Sequence, residues 1–218
     1  LKKLGVTDLI SISAVGSLRK IHKPGDFLLV NQYIDRTIMR ENTFFEDDCI
    51  AHVSLANPIS DFLINLIHKS KIKNIVLKKR GTYLAIDGPQ FSTYAESILY
   101  KSWGCDVIGM TNMPEARLAR EAEMRYASIA MVTDYDCWHK GHEAVTVDQV
   151  ISTMIRNTKK VKTLLLNLFE IASNLKNWES NDLTFSNLDI SVITKKESIS
   201  NKTKNRLRVI LNRYLEKS

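Results

Sequence analysis

Residues 127–138 read ASIAMVTDYDCW. The apolar run Ala127–Val132 stops at two carboxylates, Asp134 and Asp136, spaced two apart. A short continuous apolar run of this kind is what a strand buried on both faces requires. In an extended segment residues i and i+2 point the same way, so the two carboxylates face one side together. Two like charges so placed gain nothing from each other. Either both are solvated at a strand end, where Asp is common, or a ligand rich in donors lies between them.

Working outward, strands alternate with helices. Asp8–Ser13 is expected as a strand, with a turn from Ala14 to Leu18. Phe27–Val30 is an apolar strand, and a long polar loop then leads to His52. Pro58 opens a helix over 59–70, with Phe62, Ile64, Leu66 and Ile67 mostly on one stripe. Strands are expected at 74–79, 82–86 and 107–110, and helices at 92–103, 114–122 and 147–175. A polar linker around 178–187, a weaker strand and a final helix follow. Leu1–Gly5 reads as a helix end with Gly5 as its C-terminal cap. The alternation predicts an α/β layered fold, a central mixed sheet flanked by helices. We read residues 1–218 as one domain, with 176–218 as a linker and a basic C-terminal helix. In such folds ligands collect where strands give way to loops.

The 218 residues, 44% hydrophobic and 25% charged, suit a single globular domain with a good core. No stretch has the length of apolar sequence that spans a bilayer, and no signal peptide is visible, so no membrane partner is expected. The three cysteines (Cys49, Cys105 and Cys137) are scattered, which fits a reducing, cytosolic setting and argues against a zinc site. The net charge of +7 raises the question of nucleic acid. Between Lys176 and Ser218, however, nine Lys/Arg stand against five Asp/Glu. More than half of the excess is therefore in a terminal segment without clustered aromatics, and no nucleic-acid partner is expected.

Five stretches carry a resemblance: SAVGSL (13–18), QYIDRT (32–37), DGPQFSTYAES (87–97), GMTNMPEARLARE (109–121) and YASIAMVTDYDCWH (126–139). In this order and spacing they resemble the trimeric nucleoside phosphorylases, within them the branch acting on 5′-methylthioadenosine. The resemblance runs from about Asp8 to about Leu175. It implies a nucleoside phosphorylase-like fold, a homotrimer, phosphate as co-substrate and neither cofactor nor metal. It also implies a chain entered partway through the fold, since the family's front part, with its Gly-rich phosphate loop and Arg-His pair, has no counterpart here. Little phosphorolysis is then expected of residues 1–218 by themselves.

Residue by residue, the resemblance makes Asp134 the donor to purine N7 and Asp136 the group that recognises the 6-amino substituent. Phe91 packs on purine and ribose, and Met110 lies under the ribose. Ser92 follows Phe91 at the helix start, where its hydroxyl is equally suited to capping that helix. Val147 and Val150 line the apolar pocket for the 5′ group. Ser13, Ala14 and Thr111 are the phosphate contacts, and His52 reaches into the neighbouring subunit's site. Glu115 remains open between a ligand role and favourable interaction with its helix N-terminus. The expected reaction is phosphorolysis of methylthioadenosine to adenine and 5-methylthioribose 1-phosphate. Another nucleoside preference or an inactive split subunit are the alternatives.

Overall fold

The computed structural model describes residues 1–46, 48–73, 75–139, 147–175, 178 and 182–217. Seven strands form one mixed sheet: β1 (Asp8–Ser17), β2 (Phe27–Val30), β3 (Gln32–Asp35), β4 (Leu77–Lys79), β5 (Thr82–Ala85), β6 (Val107–Gly109) and β7 (Arg125–Tyr135). Their order is β3-β5-β6-β1-β7-β2-β4. The long parallel pair β1 and β7 forms its spine, and β1 meets β6 antiparallel only at Gly16 and Ser17. The helices are α1 (Asp61–Lys69), α2 (Tyr94–Ser102), α3 (Glu115–Glu121), α4 (Val147–Ser173), α5 (Leu188–Ser191), α6 (Asn201–Arg206) and α7 (Arg208–Glu216).

β7 shows why the apolar run had to be a central strand. Its first nine residues are all buried. Tyr126, Ala130 and Val132 pack with Ala116 and Ala119 of α3, while Ala127, Ile129 and Met131 pack with Leu63 and Ile67 of α1 and Leu164 of α4. Alternate residues thus serve two separate cores, one on each face of the sheet. A fully buried Ile or Leu here contributes about 1.5–3 kcal/mol.

Several elements differ from the sequence reading. β1 does not turn at Ala14 but runs through Ser17, because β7 offers it a partner as far as Tyr135. The ladder shifts register on the way: Val15 pairs with Val132 but Gly16 with Asp134, which leaves Thr133 as an extra residue. Gln32–Asp35, passed over on the way to the polar loop, is an edge strand held by β5. The first helix begins at Asp61, not Ile59, with Ser60 as its N-cap. α2 begins at Tyr94, not Ser92. Its cap is Thr93, whose hydroxyl accepts the Glu96 N–H while the Glu96 carboxylate accepts the Thr93 N–H, a reciprocal capping box.

The expected strand in the tail reduces to a single bridge between Ala51 and Val192, because the backbone just before it closes into α5. The final helix is two, α6 and α7, meeting at Leu207. Leu207 and Leu211 pack there on Phe45, Cys49 and Leu188. Arg213 on α7 pairs with buried Glu123 (2.6 Å) and with Asp189 (2.9 Å), which fastens the tail beside the start of β7. Gly5 does close a helical turn, at φ 79°, but the turn is 3-10. Among the described residues no helix is long and apolar enough to cross a membrane.

Candidate active site

A cavity of about 180 Å³ opens where the C-terminal part of β1 meets the loops leaving β5, β6 and β7. β1 contributes Ala14, Val15 and Gly16, and the loop after β5 contributes Ile86, Phe91 and Ser92. β6 supplies Ile108 and Gly109 and continues into Met110 and Thr111. Thr133, Asp134 and Asp136 come from the end of β7, and Val150 from the first turn of α4. The cup is largely apolar with one carboxylate pair in its wall. Among the described residues that line it there is no Lys, Arg or His.

Gly16 is what lets the two carboxylates share that wall. A Cβ at Gly16 would lie 3.1 Å from Asp134 Oδ1, 3.2 Å from Ile108 Cγ2 and 3.5 Å from Asp136 Cβ. The register shift sets Gly16 opposite Asp134, so the residue without a side chain stands where the carboxylates need room. Beyond the strand, the Asp136 N–H (3.0 Å) and the Trp138 indole N–H (2.8 Å) both donate to the Ser17 carbonyl. Lys101 Nζ lies 3.5 Å from the centre of the Trp138 ring. The 136–138 turn is therefore fixed against β1 and α2.

The two carboxylates have different surroundings. Burial pushes the Asp134 carboxyl up from its ordinary 3.8 to about 6; the Asp136 charge adds to this, and a hydrogen bond from Thr133 works against it. That bond runs from Thr133 Oγ1 to Asp134 Oδ2 at 2.7 Å, and the same hydroxyl lies 3.2 Å from the Val15 carbonyl. Asp136 is buried and accepts the Ser92 hydroxyl at 2.7 Å. Because Thr93 caps α2, Ser92 is released for this contact. A carboxyl group raised in this way keeps its protonated, donating form closer to neutral pH, beside a second carboxyl group that accepts the Ser92 hydroxyl.

Of the residues singled out from sequence, Ala14, Phe91, Ser92, Met110, Thr111, Asp134, Asp136 and Val150 line this one cavity. Ser13 does not; it is buried, with its hydroxyl lacking a hydrogen-bond partner. Val147 is exposed one turn before Val150 and lies outside the lining. His52 is exposed and donates its N–H to the Ser191 carbonyl (2.8 Å), also away from the cavity. Glu115 accepts the Tyr126 hydroxyl at 2.7 Å and borders a neighbouring cavity instead.

Sequence reasoning missed two contributors. Arg40 donates to the carbonyls of Met113 (2.6 Å), Asp87 (3.1 Å) and Ile86 (3.2 Å) and pairs with Asp87, tying together the loops that leave β5 and β6. Thr133 holds Asp134 from the strand itself. Arg40 carried no local signal, because its partners lie 46 to 73 residues away.

With this geometry in place, the comparisons with known proteins are specific. Residues 1–170 match the family model of the phosphorylase superfamily, and the chain belongs to that superfamily. Its relatives include the S-methyl-5′-thioadenosine phosphorylase of Bradyrhizobium diazoefficiens, 54% identical over 77% of this chain and 58% of that protein. The enzyme of the same name from Koribacter versatilis is 42% identical over 98% of this chain and 72% of its own length. A crystal structure of methylthioadenosine phosphorylase from an Antarctic soil metagenomic library superposes with a TM-score of 0.87 at 40% identity, covering 97% of this chain and 74% of that one. The methylthioadenosine phosphorylase of Schistosoma mansoni, solved with adenine, is 28% identical with a TM-score of 0.76 over 97% of this chain and 74% of that one. The chain thus spans 58% of the length of the Bradyrhizobium protein and about three quarters of the solved relatives.

Proposed function

We propose that the cavity binds 5′-methylthioadenosine and that the protein cleaves it with phosphate, releasing adenine and 5-methylthioribose 1-phosphate. The observation that carries this reading is Asp134, a carboxyl group pushed to about 6 in an apolar cup beside Asp136. Breaking the bond between ribose C1′ and purine N9 leaves positive charge on the sugar and negative charge on the departing base. An acid at purine N7 neutralises that base as it leaves, and so lowers the barrier rather than merely binding the substrate. Asp134 fills this role. Asp136, its oxygen oriented by Ser92, accepts from the 6-amino group and selects adenine.

The other residues follow from their place in the cup. Phe91 stacks at the mouth and Met110 lies beneath the ribose. Val150 offers an apolar contact to a 5′-methylthio group and no partner to a 5′-hydroxyl. Thr111 and Ala14, which line the cup, face the phosphate; Ser13, the neighbour of Ala14 on β1, is buried outside the lining. In the proposed homotrimer, His52 reaches the pocket of a neighbouring copy and Val147 lies at its edge. The reading requires no resident cofactor and places the enzyme in the cytoplasm.

The test is direct. The whole natural polypeptide is incubated with methylthioadenosine, with and without phosphate, and free adenine is measured by chromatography. Phosphate-dependent release of adenine is expected. Faster release of hypoxanthine from inosine would overturn the base assignment, and release indifferent to phosphate would overturn the reaction.

A further inference from the structure

Behind Thr111 lies a polar network that the proposed chemistry does not use. Tyr83 is wholly buried on β5, its ring edge-on to Tyr33 of the edge strand β3 at 5.8 Å between centroids. A phenylalanine would meet that packing equally well, so the hydroxyl needs a separate reason. It accepts the Thr111 N–H at 3.3 Å and lies 3.5 Å from the Thr111 hydroxyl. The space it occupies exists only because residue 109 is glycine, where a Cβ would fall 2.0 Å from the phenol oxygen. The Thr111 hydroxyl in turn donates to Asn112 Oδ1 at 3.2 Å. Asn112, also wholly buried, donates its amide to Tyr33 (3.2 Å) and to Ser128.

We propose that Tyr83 is a positioning residue for Thr111, engaging its backbone N–H so that Thr111 meets an oxyanion through its hydroxyl alone. The inference rests on the reading of Thr111 as a phosphate contact and adds how that contact is made. The phenol occupies the one backbone donor that Thr111 could otherwise turn toward an anion. The two hydroxyls lie 3.5 Å apart; with the phenol proton turned to Thr111 Oγ1, the threonine hydroxyl is left to donate, either to Asn112 or to an anion in the cup. A donor that is itself accepting a hydrogen bond is the stronger donor. Tyr83 therefore acts on phosphate through Thr111 and touches neither substrate.

The experiment measures binding of inorganic phosphate by calorimetry to the whole natural polypeptide, with adenine titrated in parallel. Steady-state KM values for phosphate and nucleoside accompany both. Tyr83→Phe is expected to weaken phosphate roughly 2–10-fold while leaving adenine affinity and the nucleoside KM unchanged. Thr111→Ser should keep phosphate affinity and Thr111→Val should lose it. Adding Tyr83→Phe to Thr111→Val should cost nothing further. Unchanged phosphate affinity in Tyr83→Phe would overturn the inference, and so would equal losses for phosphate and adenine or additive losses in the double variant. If Tyr83→Phe fails to fold, the threonine series decides alone, since a Thr111→Val variant that still binds phosphate shows that the hydroxyl is not the contact. A parent that binds adenine but no phosphate refutes the inference and spares the base assignment. A parent that binds phosphate yet cleaves no methylthioadenosine refutes the proposed reaction, and the binding series still judges Tyr83.

Discussion

Replacing Asp134 by Asn tests the acid without any assay of catalysis. The Asp134 carboxyl is raised from 3.8 to about 6, mainly by burial. An acid whose pKa is higher in the folded protein binds protons more tightly there, so it costs no stability below pH 3.8. Its cost grows as pH rises through that window and is complete above pH 6. That rise in pKa corresponds to roughly 3 kcal/mol. Asn keeps the shape and still accepts the Thr133 hydroxyl, but carries no charge to desolvate. Asp134→Asn should therefore be more stable than the parent by about 2–3 kcal/mol at pH 8, or roughly 5–10 °C in melting temperature, with the gain fading by pH 4. Thermal melts at pH 4, 6 and 8 followed by circular dichroism supply the measurement. A variant no more stable at pH 8, or one whose gain is the same at all three values, would refute the reasoning. The same substitution should lower turnover of adenine nucleosides and raise inosine relative to them, because the acid is lost while an amide can pair with a 6-oxopurine.

Three other outcomes are expected. Ser92→Ala leaves buried Asp136 without its 2.7 Å hydroxyl donor and should weaken adenine roughly 3–10-fold in a direct titration; unaltered affinity would mean that Ser92 does not orient the carboxylate. Val150→His, which brings a polar ring to the 5′ end, should narrow the preference for methylthioadenosine over adenosine in kcat/KM, and a variant that discriminates as the parent does would remove Val150 from that pocket. Gly109→Ala, whose methyl would stand 2.6 Å from a Tyr83 ring carbon as well as against the phenol oxygen, should cost about 1–3 kcal/mol in urea unfolding; a fully stable variant would show that Tyr83 moves aside freely.

The central strand was legible because burial on both faces leaves an unbroken apolar run, and the carboxylates that end it were legible as a break in that run. The long α4 was read at 147–175 and runs from Val147 to Ser173. β3 was missed because Gln32–Asp35 is short and only partly buried, and its identity as a strand comes from β5, some 50 residues later. The Ser92 assignment was open in the sequence although the deciding signal was present: Glu96 stands three residues after Thr93, which makes Thr93 the cap. Val147 and Val150 look equivalent on a helical face, and only the packing of α4 against β7 turns one of them into the cup. The contact between Tyr83 and Thr111 spans 28 residues and obeys no local rule.

The extra residue at Thr133 gives the site a sensitivity to length that its composition hides. With Thr133 removed, the ladder to β1 could close without interruption, Val15 on Val132 and Gly16 on Asp134, but the hydroxyl that holds Asp134 and reaches the Val15 carbonyl would be gone. The bend that an extra residue puts into a strand would straighten with it. A step of one residue in length there changes the course of the strand end that carries both carboxylates, whereas a substitution at position 134 changes one side chain.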